Sequence, residues 1–466
     1  MKRNMLFFAL AGALGLAVAG PTFAATKTKP SEVKALQALI EKQQQQLDQQ
    51  QQDLQALRTS LQQLEGQQVQ QQAQIQQVQA APPAKVAPPT FASAPGVSVS
   101  LNGFVSATAF SQSKSFTFGN GQNAEFPVAG SKGRLSGVDV RNTRFWLDFK
   151  GSKVAGDWLG SGHIEMDFFG GFNGTGAFSQ QQPNPRLRTA YMDLSNPQTG
   201  SVVRIGQQWE LMFPLDNLPA SLSHVAFPLG LGGGLVGWRF PGAVWMQDLN
   251  HGSAGPQWRL DLGGFEGNYS GPGDNVNYLT AGNAGFRPQL EARLHVEDKN
   301  WLAYGVVHYS QIDLRGVGGM APTPIESSFT SEGYEIGGNW RPGAWIFKAN
   351  VYTGRGLGEI FGDLTQFGDI KETGGYLTAG YHFTPNWSAN LSYVYSKLNR
   401  NDVVRWLGTG PLGRVKNRQT AFGLQYTAGA YDFGVEWMYD KLDTIDGTGT
   451  KTTNGNQLSV SALYHF

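Results

Sequence analysis

The sequence predicts an all-β transmembrane barrel of about 16 antiparallel strands, preceded by an α-helical coiled-coil extension. Three observations carry that expectation. In the last ten residues Leu458, Val460, Ala462, Tyr464 and Phe466 alternate with Gln457, Ser459, Ser461 and His465. A period of two with one apolar face is a strand wet on one side and oily on the other. The same alternation recurs from Val97 onward, and before it lies a run of apolar heptads.

The start of the chain reads as an export signal. Lys2 and Arg3 precede an apolar run from Met5 to Val18, and small residues follow to Ala24, which makes residues 1–24 a signal peptide. There are no cysteines, so neither a disulfide framework nor thiolate chemistry is available. A net charge of +1 argues against nucleic acid as a partner. The 61 glycines, 28 phenylalanines, 15 tyrosines and 12 tryptophans, with 15% charged residues, fit a glycine- and aromatic-rich barrel.

Residues 31–79 are dominated by glutamine and keep a seven-residue register. Val33, Ile40, Leu47, Leu54, Leu61 and Ile75 are spaced by sevens, with Gln68 the one polar member. The companion series is Leu36, Gln43, Gln50, Leu57, Leu64, Gln71 and Val78. These are the a and d positions of a coiled coil, a rod of about 70 Å at the helical rise. Its glutamine layers make it weak alone, so it forms where the chains are already held together; two strands or three stays open. Residues 80–96 carry Pro82, Pro83, Pro88, Pro89 and Pro95 and read as a semi-rigid linker.

From Val97 to Phe466 the chain is long enough for the barrel. Phe145, Leu147 and Phe149 alternate with Arg144, Trp146, Asp148 and Lys150. Leu290, Ala292, Leu294 and Val296 oppose Glu291, Arg293 and His295, and Tyr431, Phe433, Val435, Trp437 and Tyr439 form another apolar face. In lipid every backbone N–H and C=O must be paired, and a sheet achieves this only by closing. Its outside is then apolar, while its inside can carry charge.

The inward positions hold an arginine series: Arg144, Arg186, Arg188, Arg204, Arg259 and Arg293. Fixed cations along a water-filled channel favour anions, and guanidinium suits carboxylate or phosphate. The competing reading is that they pair with Asp148, Glu165, Asp167, Asp261 and Glu291 and only brace the wall. Residues 210–234 are too apolar for a solvated loop and too broken by Pro214, Pro219 and Pro228 for a strand. The segment either folds inward and narrows the barrel, with Asp216 and His224 at the rim, or packs at a subunit interface.

Other signals carry no chemistry. Gly232, Gly234 and Gly237 fit G-x-G-x-x-G, but no strand–helix unit surrounds them. The seven histidines show no metal-ligand spacing, no G-x-S-x-G elbow is present, and no nucleophile–base pair is legible. No catalysis, metal or cofactor is expected.

The terminal Phe466 resembles the end of bacterial outer-membrane barrels, where it acts as an assembly signal. The chain also resembles the DcaP-like family of trimeric outer-membrane porins. The likeness rests on Leu101-Asn102-Gly103-Phe104, Arg141-Asn142-Thr143-Arg144-Phe145 and Arg186-Leu187-Arg188-Thr189-Ala190-Tyr191. It continues in Ile205-Gly206-Gln207-Gln208-Trp209, leading into Phe213-Pro214-Leu215-Asp216. The resemblance implies a 16-stranded barrel, a homotrimer in outer-membrane lipid, a periplasmic coiled coil and passage of small anions such as dicarboxylates. The expectation is therefore a passive porin. The rival, of another class, is an envelope-spacing or tethering protein whose barrel anchors a working coiled coil.

Overall fold

The computed structural model describes residues 90–466 except 95–96, 117–120, 132, 171–182, 220, 225–233, 267–287, 316–322, 361–363, 365–366 and 448. Of the segment read as coiled coil it describes Glu41, Lys42 and Gln49, each helical. The signal peptide, the rest of the rod and the linker up to Pro89 lie outside the described residues.

The strands are β1 (Thr90–Ala94), β2 (Val97–Gln112), β3 (Leu135–Asp139), β4 (Arg144–Ala155), β5 (Trp158–Asp167) and β6 (Arg186–Asn196). Next come β7 (Ser201–Trp209), β8 (Arg239–Asp248), β9 (Gln257–Glu266), β10 (Pro288–Asp298), β11 (Trp301–Asp313) and β12 (Ser328–Trp340). The series closes with β13 (Trp345–Arg355), β14 (Lys371–His382), β15 (Trp387–Leu398), β16 (Arg414–Ala428), β17 (Tyr431–Asp446) and β18 (Gly449–His465).

These 18 strands fill 16 positions around the wall. β3 and β4 lie in line along β2, pairing at Thr108–Gln112 and at Ser98–Phe104 respectively. The break between them is the Arg141-Asn142-Thr143 segment. Its backbone amides turn away from the ladder: Arg141 N donates to Asp139 and Asn142 N to Gln122. β1 likewise continues the position of β18, pairing with β2 at Val97–Ser100 where β18 pairs at Phe104–Gln112. β1 falls inside the stretch read as linker, in the run between Pro89 and Pro95 where every residue keeps its N–H.

All pairings are antiparallel, and β18 on β2 closes the sheet. Gly103 and Phe466 exchange both backbone bonds at 3.0 Å. A Cβ on Gly103 would stand 2.5 Å from the Arg144 carbonyl and 2.7 Å from the Phe466 ring. Closure at this seam therefore needs glycine in Leu101-Asn102-Gly103-Phe104.

The predicted faces are found. Leu290 is 52% exposed and Leu294 44%, while Glu291 between them is 4% exposed. On strands such as β10 apolar side chains point outward and polar ones inward, the inverse of a soluble domain and what a hydrocarbon surround requires. Aromatic rings collect at one end of the outer face: Trp345 on Phe347 and Tyr381, Trp387 on Tyr426, and Tyr431 on Phe433 and Tyr464. Trp437 and Tyr439 lie stacked further up β17. Tyr431 to Tyr439 is eight residues, about 26 Å at the strand rise, which matches the apolar band of a membrane barrel.

Connections at the Trp345 end are short, such as residues 156–157, 299–300 and 429–430. At the other end lie long ones, including 113–134, 356–370 and 399–413. There helix α1 (Arg400–Leu407) is capped by Asn399, whose side chain accepts from the Asn401 and Asp402 amides. Val403 and Trp406 of α1 join Phe126, Leu314, Phe329, Phe367 and Ile445 in an apolar cluster. This cluster ties the long connections together above β11–β17.

Candidate functional site inside the barrel

After Trp209 the chain turns into the barrel. The Glu210 amide donates to the Trp238 carbonyl at 3.0 Å, which closes the loop at its base. Leu211 and Met212 then pack on Phe240, Val244, Phe265, Val306 and Tyr352, all on the inner wall. Phe213 stacks on Trp209 at 3.9 Å and meets Tyr376 and Val394 of β14 and β15. Further along, Asn217 donates to the Ala349 carbonyl at 2.8 Å, and Lys348 Nζ donates to the Leu218 carbonyl at 2.6 Å.

The far end reaches the opposite wall. Glu436 of β17 accepts from Ser221 Oγ and from the Leu222 and Ser223 amides, at 2.6, 2.6 and 2.9 Å. Ser223 Oγ meets Ser461 Oγ at 3.0 Å. Of the two readings of residues 210–234, these contacts select the inward one for the described part. The return leg passes β14 through glycine: Gly234 has φ +81°, and a Cβ there would lie 2.5 Å from the Gly375 carbonyl oxygen. Close backbone approach is thus the use of one glycine in the discarded G-x-G-x-x-G match.

Every predicted arginine is paired. Arg186 holds Asp167 with two bonds, at 2.7 and 3.0 Å. Arg188 bridges Glu165 at 2.6 Å and Asp167 at 2.9 Å. Arg144 reaches Glu165 at 3.3 Å, so three guanidinium groups share two carboxylates. Arg204 binds Asp193 with two bonds at 2.8 Å and lies over the Tyr191 ring at 3.8 Å. Arg259 binds Asp261 at 2.8 Å, and Arg293 binds Asp216 at 2.6 Å. Pairing makes Arg186, Arg204 and Arg259 rigid, because a two-pronged bond fixes the plane of the guanidinium.

Asp216 is brought to the β10 wall by that pairing. Burial works against its charge, but Arg293 beside it outweighs burial and holds the carboxyl below its usual range. His224 departs from expectation. It is 5% exposed, 3.1 Å from Gln457 Nε2 and 3.8 Å from Glu436, so it anchors the loop rather than forming a rim.

One constellation escaped the sequence. Glu210, Glu291 and His308 each present a ligand atom within 4.8 Å of the others, all buried, so this donor set could hold a metal ion. The same atoms also serve the loop base. Glu291 accepts from the Leu211 and Met212 amides at 2.6 and 3.3 Å and from His308 Nδ1 at 3.0 Å. Burial, and then the Glu291 charge, push the Glu210 carboxyl well above its usual range. Residue spacing could not reveal the group, since a strand crossing and a loop separate its members.

No family model matches the chain, and no curated protein does. Solved structures do. The outer membrane channel DcaP of Acinetobacter baumannii aligns with 82% of this chain and 100% of its own, at 21% identity and TM-score 0.60. The barrel has the porin fold. An anion-selective porin from Comamonas acidovorans covers 79% of this chain and 100% of its own, at 12% identity and TM-score 0.53. Salmonella typhi OmpF, solved with daunomycin, covers 81% and 100% at 13% identity and TM-score 0.52. Comparison of folds thus reaches the same architecture as the resemblance read from the sequence motifs.

Proposed function

We propose that this chain is a passive outer-membrane porin for small hydrophilic solutes, favouring small organic anions such as dicarboxylates. It works as a homotrimer in outer-membrane lipid, with the N-terminal rods bundled in the periplasm. The observation that carries the anion preference is the arc of inward arginines from β4 to β10. Arg144, Arg186 and Arg188 outnumber Glu165 and Asp167, which leaves a surplus positive charge. Arg186, Arg204 and Arg259 keep 25%, 27% and 36% of their side chains accessible, so a passing carboxylate can reach N–H groups their partners leave free. A low-dielectric wall focuses such a field along the water path.

Residues 210–224 set the width, with Asp216 and His224 fixing the loop to β10 and β17. The test is the reversal potential across a planar bilayer in a salt gradient. Anion preference, with current reduced by added succinate, is the expected result. Cation preference of the unaltered protein would overturn the arginine assignment.

A further inference from the structure

The outer face of β13–β17 carries cations where the barrel meets the long connections, and they are arranged against ordinary sheet preference. Arg355 stands directly opposite Lys371, Lys397 opposite Lys416, and Arg418 opposite Lys441. Like charges facing each other across a strand pair destabilise a sheet. Here three such pairs occur on neighbouring strands, on the outward face, although Glu332 faces Arg355 and Asp443 faces Lys416 across their other neighbours. Asp369 neutralises Arg355, and Asp443 neutralises Arg418. Among the described residues no carboxylate lies within ion-pair distance of Lys371, Lys397, Lys416 or Lys441; the Lys416 ammonium sits over the Tyr395 ring at 5.3 Å.

An open groove of about 550 Å³ runs along this patch, lined by Tyr334, Arg355, Lys371, Thr373, Tyr395 and Lys397, with the Glu332 carboxylate on its β12 side. Its tyrosines lie toward the apolar band and its lysines toward the long connections, the order of an acyl chain and its headgroup.

We infer that this face is a binding site for a phosphate-bearing lipid headgroup of the outer leaflet, held by Lys371, Lys397, Lys416 and Lys441. The inference rests on the outer-membrane reading above. An anion between Lys397 and Lys416 removes their mutual repulsion, and a neighbouring hydroxyl such as Thr373 adds a neutral donor.

The experiment uses the full-length protein in detergent, with native mass spectrometry after adding phosphorylated lipid A, dephosphorylated lipid A or inorganic phosphate. Retention of the phosphorylated lipid alone is expected. The Lys371→Gln/Lys397→Gln/Lys416→Gln variant should hold it about a hundredfold more weakly, each charge near a lipid surface contributing a factor of about five. Lys299→Gln, in a short turn at the opposite end, should change nothing. Equal retention of both lipids, undiminished retention by the triple variant, or displacement by inorganic phosphate at lipid-like affinity overturns the inference. Heat-modifiable migration reports folding, and Lys397→Gln alone carries the test if the triple variant fails to fold. Fractionation separates the two readings. Absence from the outer membrane sinks the porin assignment, whereas a correctly inserted barrel without phosphate dependence sinks only this site.

Discussion

Two arcs of the inner wall solve the same problem differently. From β4 to β9 the inward carboxylates Glu165, Asp167, Asp193 and Asp261 are met by guanidinium. From β11 to β17 three buried carboxylates are met by neutral donors: Tyr304 on Glu335 at 2.7 Å, Tyr352 on Glu372 at 2.5 Å and Gln419 on Asp440 at 3.1 Å. Glu436 takes loop amides instead. The first arc is where side chains stay partly accessible; the second is covered by the inward loop and the apolar cluster. Charge pairs are retained beside open space, where water lowers their desolvation cost. Neutral hydrogen bonds take over where the interior is filled.

That contrast can be broken most forcefully on the arginine side. Arg186→Ala/Arg188→Ala strips the fully buried Asp167 of both cations, and uncompensated buried charge costs about 3–5 kcal/mol. Reversal potentials should swing toward cations and the barrel should unfold at lower temperature. Unchanged selectivity would mean that the arc does not set the field.

Next comes Glu436→Ala in the covered arc. It leaves Ser221 Oγ and the Leu222 and Ser223 amides without their acceptor, at about 1 kcal/mol or more for each. The loop end should detach and single-channel conductance should rise severalfold, with ion preference little altered. A conductance equal to wild type would show that residues 210–224 do not limit flow.

Gly234→Ala perturbs the same loop more gently. The left-handed φ and the 2.5 Å approach to Gly375 oxygen imply about 1–2 kcal/mol of strain. A modest conductance increase with more open-channel noise is expected, and identical recordings would argue against the close approach.

The smallest effect concerns pH. A carboxyl whose folded value is raised contributes stability that is complete at pH below the ordinary carboxylate range and is lost as pH rises through the raised value. Glu210 is such a group, so the loop base should loosen, and conductance drift upward, as pH rises above the ordinary carboxylate range. Glu210→Gln keeps the neutral shape and should flatten that dependence. A pH profile untouched by the substitution would locate the titration elsewhere.

Much of the wall was legible because a strand writes its faces locally. Leu290, Glu291, Ala292 and Arg293 declare inside and outside without reference to any other strand. The loop was legible in part, since its apolar and proline-rich composition ruled out a solvated course. Its direction was not, because inward and interface packing ask for the same residues. His224 looked like a rim residue and proved to be an anchor, as its burial depends on Gln457 and Glu436, more than 200 positions away.

The arginines illustrate the remaining limit. Their residue type and inward parity were plain, but each partner is chosen by register between strands. The in-line sharing of wall positions by β3 with β4 and by β1 with β18 was invisible for the same reason.

The sequence by itself determined a two-faced β-chain that must close in an apolar surround, because side-chain alternation is a property of each strand alone. Tertiary structure decided which carboxylate each arginine meets, where the loop crosses the interior and which lysines face one another. Those outcomes depend on pairing between distant segments, and a one-residue slip of register would have changed all of them.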